Sequence, residues 1–174
     1  MNTQYHKNLA SSMTEQLLKI RKANLRRSFQ DFRASEHRME KVGEINKVIY
    51  INDAKSQSVN ATYFALKSIE KPVIWIAGGN ESKDHYEDLL PLVRLKVEAL
   101  IMLGKNNTGL FESFVDYVDR IYQANDLQEA VYIAKKIAYK GTTVLFSPAC
   151  KPGVLYNSVE ERGLEFKKAV KNIL

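Results

Sequence analysis

Four short polar segments, Asn52-Asp-Ala-Lys55, Gly78-Gly-Asn-Glu-Ser-Lys83, Gly104-Lys-Asn-Asn107 and Ser147-Pro-Ala-Cys150, each follow directly on an apolar run. Asp53 offers a carboxylate that accepts hydrogen bonds, and Lys55 and Lys83 offer ammonium groups suited to anions. The paired glycines let a backbone approach a ligand closely. The same residues also have plain structural readings: Gly78-Gly79 as a tight turn, Asp53 and Ser147 as helix caps, the lysines as solvated surface. The chemistry favoured is binding rather than bond-making, because no nucleophile stands with a paired base and acid. His6, His37 and His85 are scattered without metal-ligand spacing and read as surface or capping residues. Cys150 has no evident base beside it and reads as structural. As the only cysteine it forms no internal disulfide, which suits a reducing cytoplasm.

The elements that position these segments follow from hydrophobic periodicity. Apolar runs at 48–51, 72–77, 99–103, 120–122 and 142–146 alternate with helical patterns near 59–70, 85–97, 108–116, 126–139 and 158–173. Strands apolar throughout are buried on both faces, as parallel strands between helix layers are. Regular alternation of this kind predicts an α/β, doubly wound, mostly parallel Rossmann-like sheet with helices on both faces. In such a sheet ligands collect at the C-terminal ends of the strands, where all four polar segments fall. Ahead of it, residues from about 9 to 33 read as a basic amphipathic helix, so residues 1–36 form a helical segment and 37–174 the α/β domain.

Composition narrows the function classes. The 174 residues are 45% hydrophobic and 26% charged, as in an ordinary globular protein. No apolar run approaches the roughly 20 residues needed to span a bilayer, and the N-terminus has no apolar signal region. The formal charge of +6 is concentrated early, with nine Lys/Arg against four Asp/Glu in the first 41 residues. No nucleic-acid motif accompanies the basic run, so it reads as a solvated helix face. No G-x-x-x-x-G-K-[ST] or G-x-G-x-x-G is present, which disfavours a P-loop or dinucleotide site on this chain.

The segments His37-Arg-Met-Glu-Lys-Val42, Tyr50-Ile-Asn-Asp-Ala-Lys55, Trp75-Ile-Ala-Gly-Gly79, Ser147-Pro-Ala-Cys150 and Glu160-Glu-Arg-Gly-Leu-Glu-Phe166 resemble, in order and spacing, the Mur ligase family. The likeness is to the family's D-glutamate-adding branch of peptidoglycan synthesis and runs over essentially the whole chain. It implies that residues 37–174 are the C-terminal domain and 1–36 the end of the central ATP-binding domain. Such enzymes use ATP and Mg²⁺ to activate a substrate carboxylate as an acyl phosphate, which the amino group of D-glutamate attacks. The resemblance assigns Arg38 to ATP, Asp53 to the nucleotide ribose and Lys55 to the nucleotide or phosphate region.

The resemblance also exposes departures. Gln57 stands where the family has a threonine that contacts D-glutamate. Ser82 occupies the position of a carboxylate-binding lysine, with Lys83 one residue late. Pro152 replaces an amino-acid-binding serine, and Val159 a nearby phenylalanine. The nucleotide side is thus preserved and the amino-acid side eroded. The UDP-sugar domain, P-loop and magnesium-binding residues of the family are not in this sequence, so the chain alone is expected to bind no cofactor tightly and to ligate nothing. The expected partners are ATP, D-glutamate and the ligase's other domains, with neither nucleic acid nor membrane. Two alternatives stand beside this reading: a degenerate, non-catalytic binding module, and a small standalone enzyme acting on a different anion.

Overall fold

A computed structural model describes residues 35–70, 72–80 and 85–173. The chain divides into two units, Met1–Ser35 and Glu36–Leu174, and the second carries the fold. The helix expected at 9–33 lies outside the described residues, as do Ser82 and Lys83.

Six strands form one sheet: β1 (Glu40–Ile45), β2 (Val48–Asn52), β3 (Val73–Gly78), β4 (Val97–Leu103), β5 (Ile121–Ala124) and β6 (Thr143–Phe146), in the order β1-β2-β6-β3-β4-β5. All neighbours pair in parallel except β1 with β2. Side chains alternate between two cores. Tyr50, Ile74, Ile76, Val144 and Phe146 face one, and Val73, Trp75, Ala77 and Leu145 face the other. Helices α4 (Leu127–Ile137) and α5 (Val159–Lys171) cover the first face. The second is covered by α1 (Val59–Ser68), α2 (Leu90–Lys96) and α3 (Thr108–Phe114). This is the doubly wound α/β architecture that the periodicity predicts.

After β2 and β3 the chain passes to one face, and after β6 to the other. Crevices therefore open on both sides of β6 at the C-terminal ends of the strands, where chain direction reverses. The described parts of the polar segments after β2, β3 and β6 sit there, and the segment after β4 lies one strand further along the edge.

Two elements differ from the sequence reading. β1 is an additional strand, joined to β2 by a two-residue turn in which Asn46 and Lys47 both have positive φ, 52° and 65°. Such turns match the twist of antiparallel strands. The stretch near 85–97 is no single helix: a 3₁₀ turn (Tyr86–Leu89) precedes α2, and Val97 already belongs to β4. Pro91 sits in the first turn of α2, where its missing N–H costs no hydrogen bond. Among the described residues no helix is long and apolar enough to cross a membrane.

Candidate functional site

The loop after β2 is built around Asp53, which is only 2% exposed. Its Oδ2 accepts hydrogen bonds from Ser147 Oγ at 2.9 Å and from the Ser56 hydroxyl, and its Oδ1 accepts from the Met39 N–H at 3.2 Å. Thr62 Oγ1 lies 2.9 Å from Ser147 Oγ, extending the buried hydroxyl chain into α1. Burial pushes the Asp53 carboxyl above its ordinary value, while these donors and the charge of Arg38 pull the other way. Neither Asp53 nor Ser147 is a helix cap. Ser58 caps α1, accepting from the Ala61 N–H, and both other residues tie separate loops together.

The segment bearing Arg38 is held by the same network. His37 and Met39 on either side of Arg38 have positive φ, 60° and 47°, which non-glycine residues adopt only when their surroundings compensate. Here the His37 N–H donates to Glu40 Oε2 at 3.0 Å, and the His37 carbonyl accepts from the Lys55 N–H at 3.0 Å. That bond brings Arg38 and Lys55 onto neighbouring strips of backbone around Asp53. Glu40 also pairs with Lys167 at 2.8 Å, linking the entry to β1 with α5.

His37 is buried, not a surface or capping residue. Its Nδ1 lies 3.0 Å from Asn52 Nδ2, which also donates to the Gly163 carbonyl at 3.1 Å. A Cβ on Gly163 would run into the imidazole, so only glycine lets α5 pack this closely.

Next to Gly163, Arg162 is 2% exposed. Its Nε and Nη2 donate to the Ala54 carbonyl at 3.0 and 2.7 Å, and its Nη1 donates to the Cys150 carbonyl at 3.0 Å. One guanidinium thus clamps the loop after β2 to the loop after β6. Burial lowers its proton affinity; hydrogen bonding at Cys150 and the Asp53 charge oppose that. Arg162, His37 and Asn52 are the residues that sequence reasoning missed. A signal existed for Arg162: it shares the apolar spacing of Val159, Phe166, Ala169 and Val170 on α5.

The positions assigned to the amino acid are not gathered in this way. Gln57 is exposed beside the cap of α1, Pro152 is half-buried beyond Cys150, and Val159 packs against the core at the start of α5. Cys150 is buried, with its thiol donating to the Gly78 carbonyl at 3.4 Å. Among the described residues no group of three or more His, Cys, Asp or Glu converges. What the arrangement presents is a buried carboxylate with the charge of Arg38 near it and Lys55 on the adjoining strip of backbone.

Residues 37–150 match the family described as Mur ligase, glutamate ligase domain. Over 165 residues, 95% of this chain, it is 46% identical to a UDP-N-acetylmuramoylalanine--D-glutamate ligase of Christiangramia forsetii. An enzyme of the same name from Porphyromonas gingivalis is 40% identical over 168 residues, 97% of the chain. The chain spans 37% of the length of each of these relatives. Among solved structures, the UDP-N-acetylmuramate-alanine ligase of Thermotoga maritima shares the fold at a TM-score of 0.53 and 14% identity, covering 83% of this chain and 32% of that one. Folylpolyglutamate synthase of Mycobacterium tuberculosis, complexed with ADP, does so at 0.55 and 12% identity, covering 78% and 32%. The chain belongs to the Mur ligase family, as the C-terminal, glutamate ligase domain of those enzymes.

Proposed function

We propose that this chain is the C-terminal part of an ATP-dependent UDP-N-acetylmuramoyl-L-alanine:D-glutamate ligase, with residues 1–36 the end of the preceding ATP-binding domain and 37–174 the domain that closes on the nucleotide. The observation that carries the reading is the joining of Arg38 and Lys55 around Asp53 by the Lys55 N–H to His37 carbonyl bond. It occurs in a chain 46% identical to such a ligase.

ATP, when bound, supplies the phosphoryl group that converts the substrate carboxylate into an acyl phosphate. The residues of this chain hold and orient it. The Arg38 guanidinium offers a planar fork to phosphate oxygens, and Lys55 a mobile point charge. Asp53 receives three protein donors, and a carboxylate has about four acceptor sites. Among the described residues one acceptor site, on Oδ1, is left for a ribose hydroxyl. Because Ser56, Ser147 and Met39 already fix the carboxylate, it need not reorganise when the nucleotide arrives. The reaction belongs in the cytoplasm, where ATP is found, and the chain by itself forms no amide.

The amino-acid side favours a second reading, a non-catalytic module of the same fold. Val159 packs against the core with a smaller side chain than the phenylalanine it replaces, and Pro152 has neither the hydroxyl nor the N–H of the serine it replaces. One experiment separates the two. The chain replaces the matched segment of the Christiangramia forsetii relative, and phosphate release is measured. Release requiring both UDP-N-acetylmuramoyl-L-alanine and D-glutamate supports the ligase. A soluble chimera that binds ADP and never responds to D-glutamate supports the module.

A further inference from the structure

The two left-handed residues that flank Arg38 are each held by a carboxylate. The Met39 N–H donates to Asp53 Oδ1 at 3.2 Å, and the His37 N–H donates to Glu40 Oε2 at 3.0 Å. The two carboxylates are fixed to different degrees. Asp53 is buried, with the Ser56 and Ser147 hydroxyls on its Oδ2. Glu40 opens β1, the edge strand, and its side chain is partly exposed. Its Oε2 takes the His37 N–H and, at 3.5 Å, Asn52 Nδ2. Its Oε1 meets Lys167 Nζ at 2.8 Å.

Lys167 reaches this point from α5, 131 residues beyond Glu36. Its ammonium also meets Glu36 Oε1 at 3.0 Å, so it lies between the two carboxylates that bracket His37, Arg38 and Met39. An exposed ion pair adds little to overall stability. A lysine between two carboxylates acts locally instead, because it removes the freedom of the Glu40 side chain to turn its Oε2 away from the His37 N–H.

Burial raises the Glu40 carboxyl, but the hydrogen bonds from Lys167 and the His37 N–H outweigh it and hold the group below its ordinary value. Glu40 therefore stays ionised and accepts only, which makes the bond from His37 a charge-assisted one. Left-handed backbone at a non-glycine residue persists only where its surroundings over-determine it. At His37, Glu40 and the Lys55 N–H are those surroundings, and the first of them depends on Lys167.

We propose that Lys167 is a positioning residue for the nucleotide: by holding Glu40 against the His37 N–H, it keeps the left-handed backbone that carries Arg38. The ligand of Arg38 is taken from the ligase reading, while the hold on His37 rests on geometry alone. The test compares Lys167→Met, uncharged and of similar length, with Lys167→Arg, which keeps a cation able to meet both carboxylates. In the full chain, amide hydrogen exchange at His37 is expected to quicken about tenfold in Lys167→Met and not in Lys167→Arg, with the β3 amides unchanged in both. In the chimera described above, Lys167→Met is expected to raise the KM for ATP about fivefold and to leave kcat and the KM for D-glutamate within about twofold. Lys167→Arg should restore the KM for ATP. Unchanged exchange at His37 overturns the proposal, and so does quickening shared equally by β3, which marks a loss of overall stability. A KM for ATP that stays put while His37 loosens overturns it as well. Failure of the ligase reading is seen separately: the unaltered chimera then releases no phosphate, and the exchange measurement still decides the hold on His37.

Discussion

The two halves of the sheet's C-terminal edge are built on opposite principles. Around β2 and β6 the loops are buried and tied to one another: Asp53 takes donors from three residues, and Arg162 spans two loops. Around β3, β4 and β5 a cleft of about 370 Å³ is lined by Asn80, Lys105 and Asn106, whose side chains have no partners among the described residues. One stretch of chain serves both regions. It is buried from Ser147 to Cys150 and open at Gly153 and Val154. The first region holds fixed geometry at the expense of adaptability.

Substitutions sharpen this contrast in order of size. Arg162→Met should be the most damaging, because it leaves the buried Ala54 and Cys150 carbonyls without their guanidinium donors. Unsatisfied buried carbonyls cost about 1–3 kcal/mol each, so a loss of about 3 kcal/mol is expected. Urea denaturation would show it as a lower midpoint with an unchanged slope. A midpoint like that of the parent chain would mean that the clamp contributes nothing.

Gly163→Ala comes next. The added methyl meets the His37 ring, and overpacking of this kind costs about 2 kcal/mol. Thermal unfolding reads it directly, and His37→Ala in the same chain should relieve part of the strain.

Asp53→Asn gives a smaller, pH-dependent effect. Burial raises the folded-state carboxyl above its ordinary value of 3.8. The folded chain therefore binds this proton more tightly than the unfolded one. Its contribution to stability is fully present below the ordinary value and falls as pH rises toward the raised one. Across that window the parent should lose stability relative to Asp53→Asn. Parallel stability curves for the two chains would contradict the burial argument.

Lys105→Gln should change stability by less than about 0.5 kcal/mol, as expected for an exposed side chain without partners. A larger loss would erase the distinction between the two regions.

Much of this architecture is written locally. The apolar runs became β2 to β6, and the central β3, β4 and β6 are buried on both faces, which periodicity reports directly. β1 escaped notice because Glu40, Lys41 and Glu44 interrupt it, as befits an edge strand with water on one side. The site was legible in its residue types but not in its connections. Asp53 draws donors from positions 3, 14 and 94 residues away, and no pattern in one sequence announces such pairings. Asp53 and Ser147 thus looked like caps when they are partners across the sheet. Arg162 was the exception, since a charged residue in the apolar stripe of α5 marks itself.

In the proposed ligase the nucleotide half of the site is intact and the amino-acid half has changed. Steady-state kinetics of the chimera that carries this chain in place of the matched segment of the Christiangramia forsetii ligase test it most directly. A KM for ATP close to that of the parent ligase is expected. So is a KM for D-glutamate raised about a hundredfold or more, the result of losing two charge-assisted contacts. A raised KM for ATP with an unchanged KM for D-glutamate would contradict this reading.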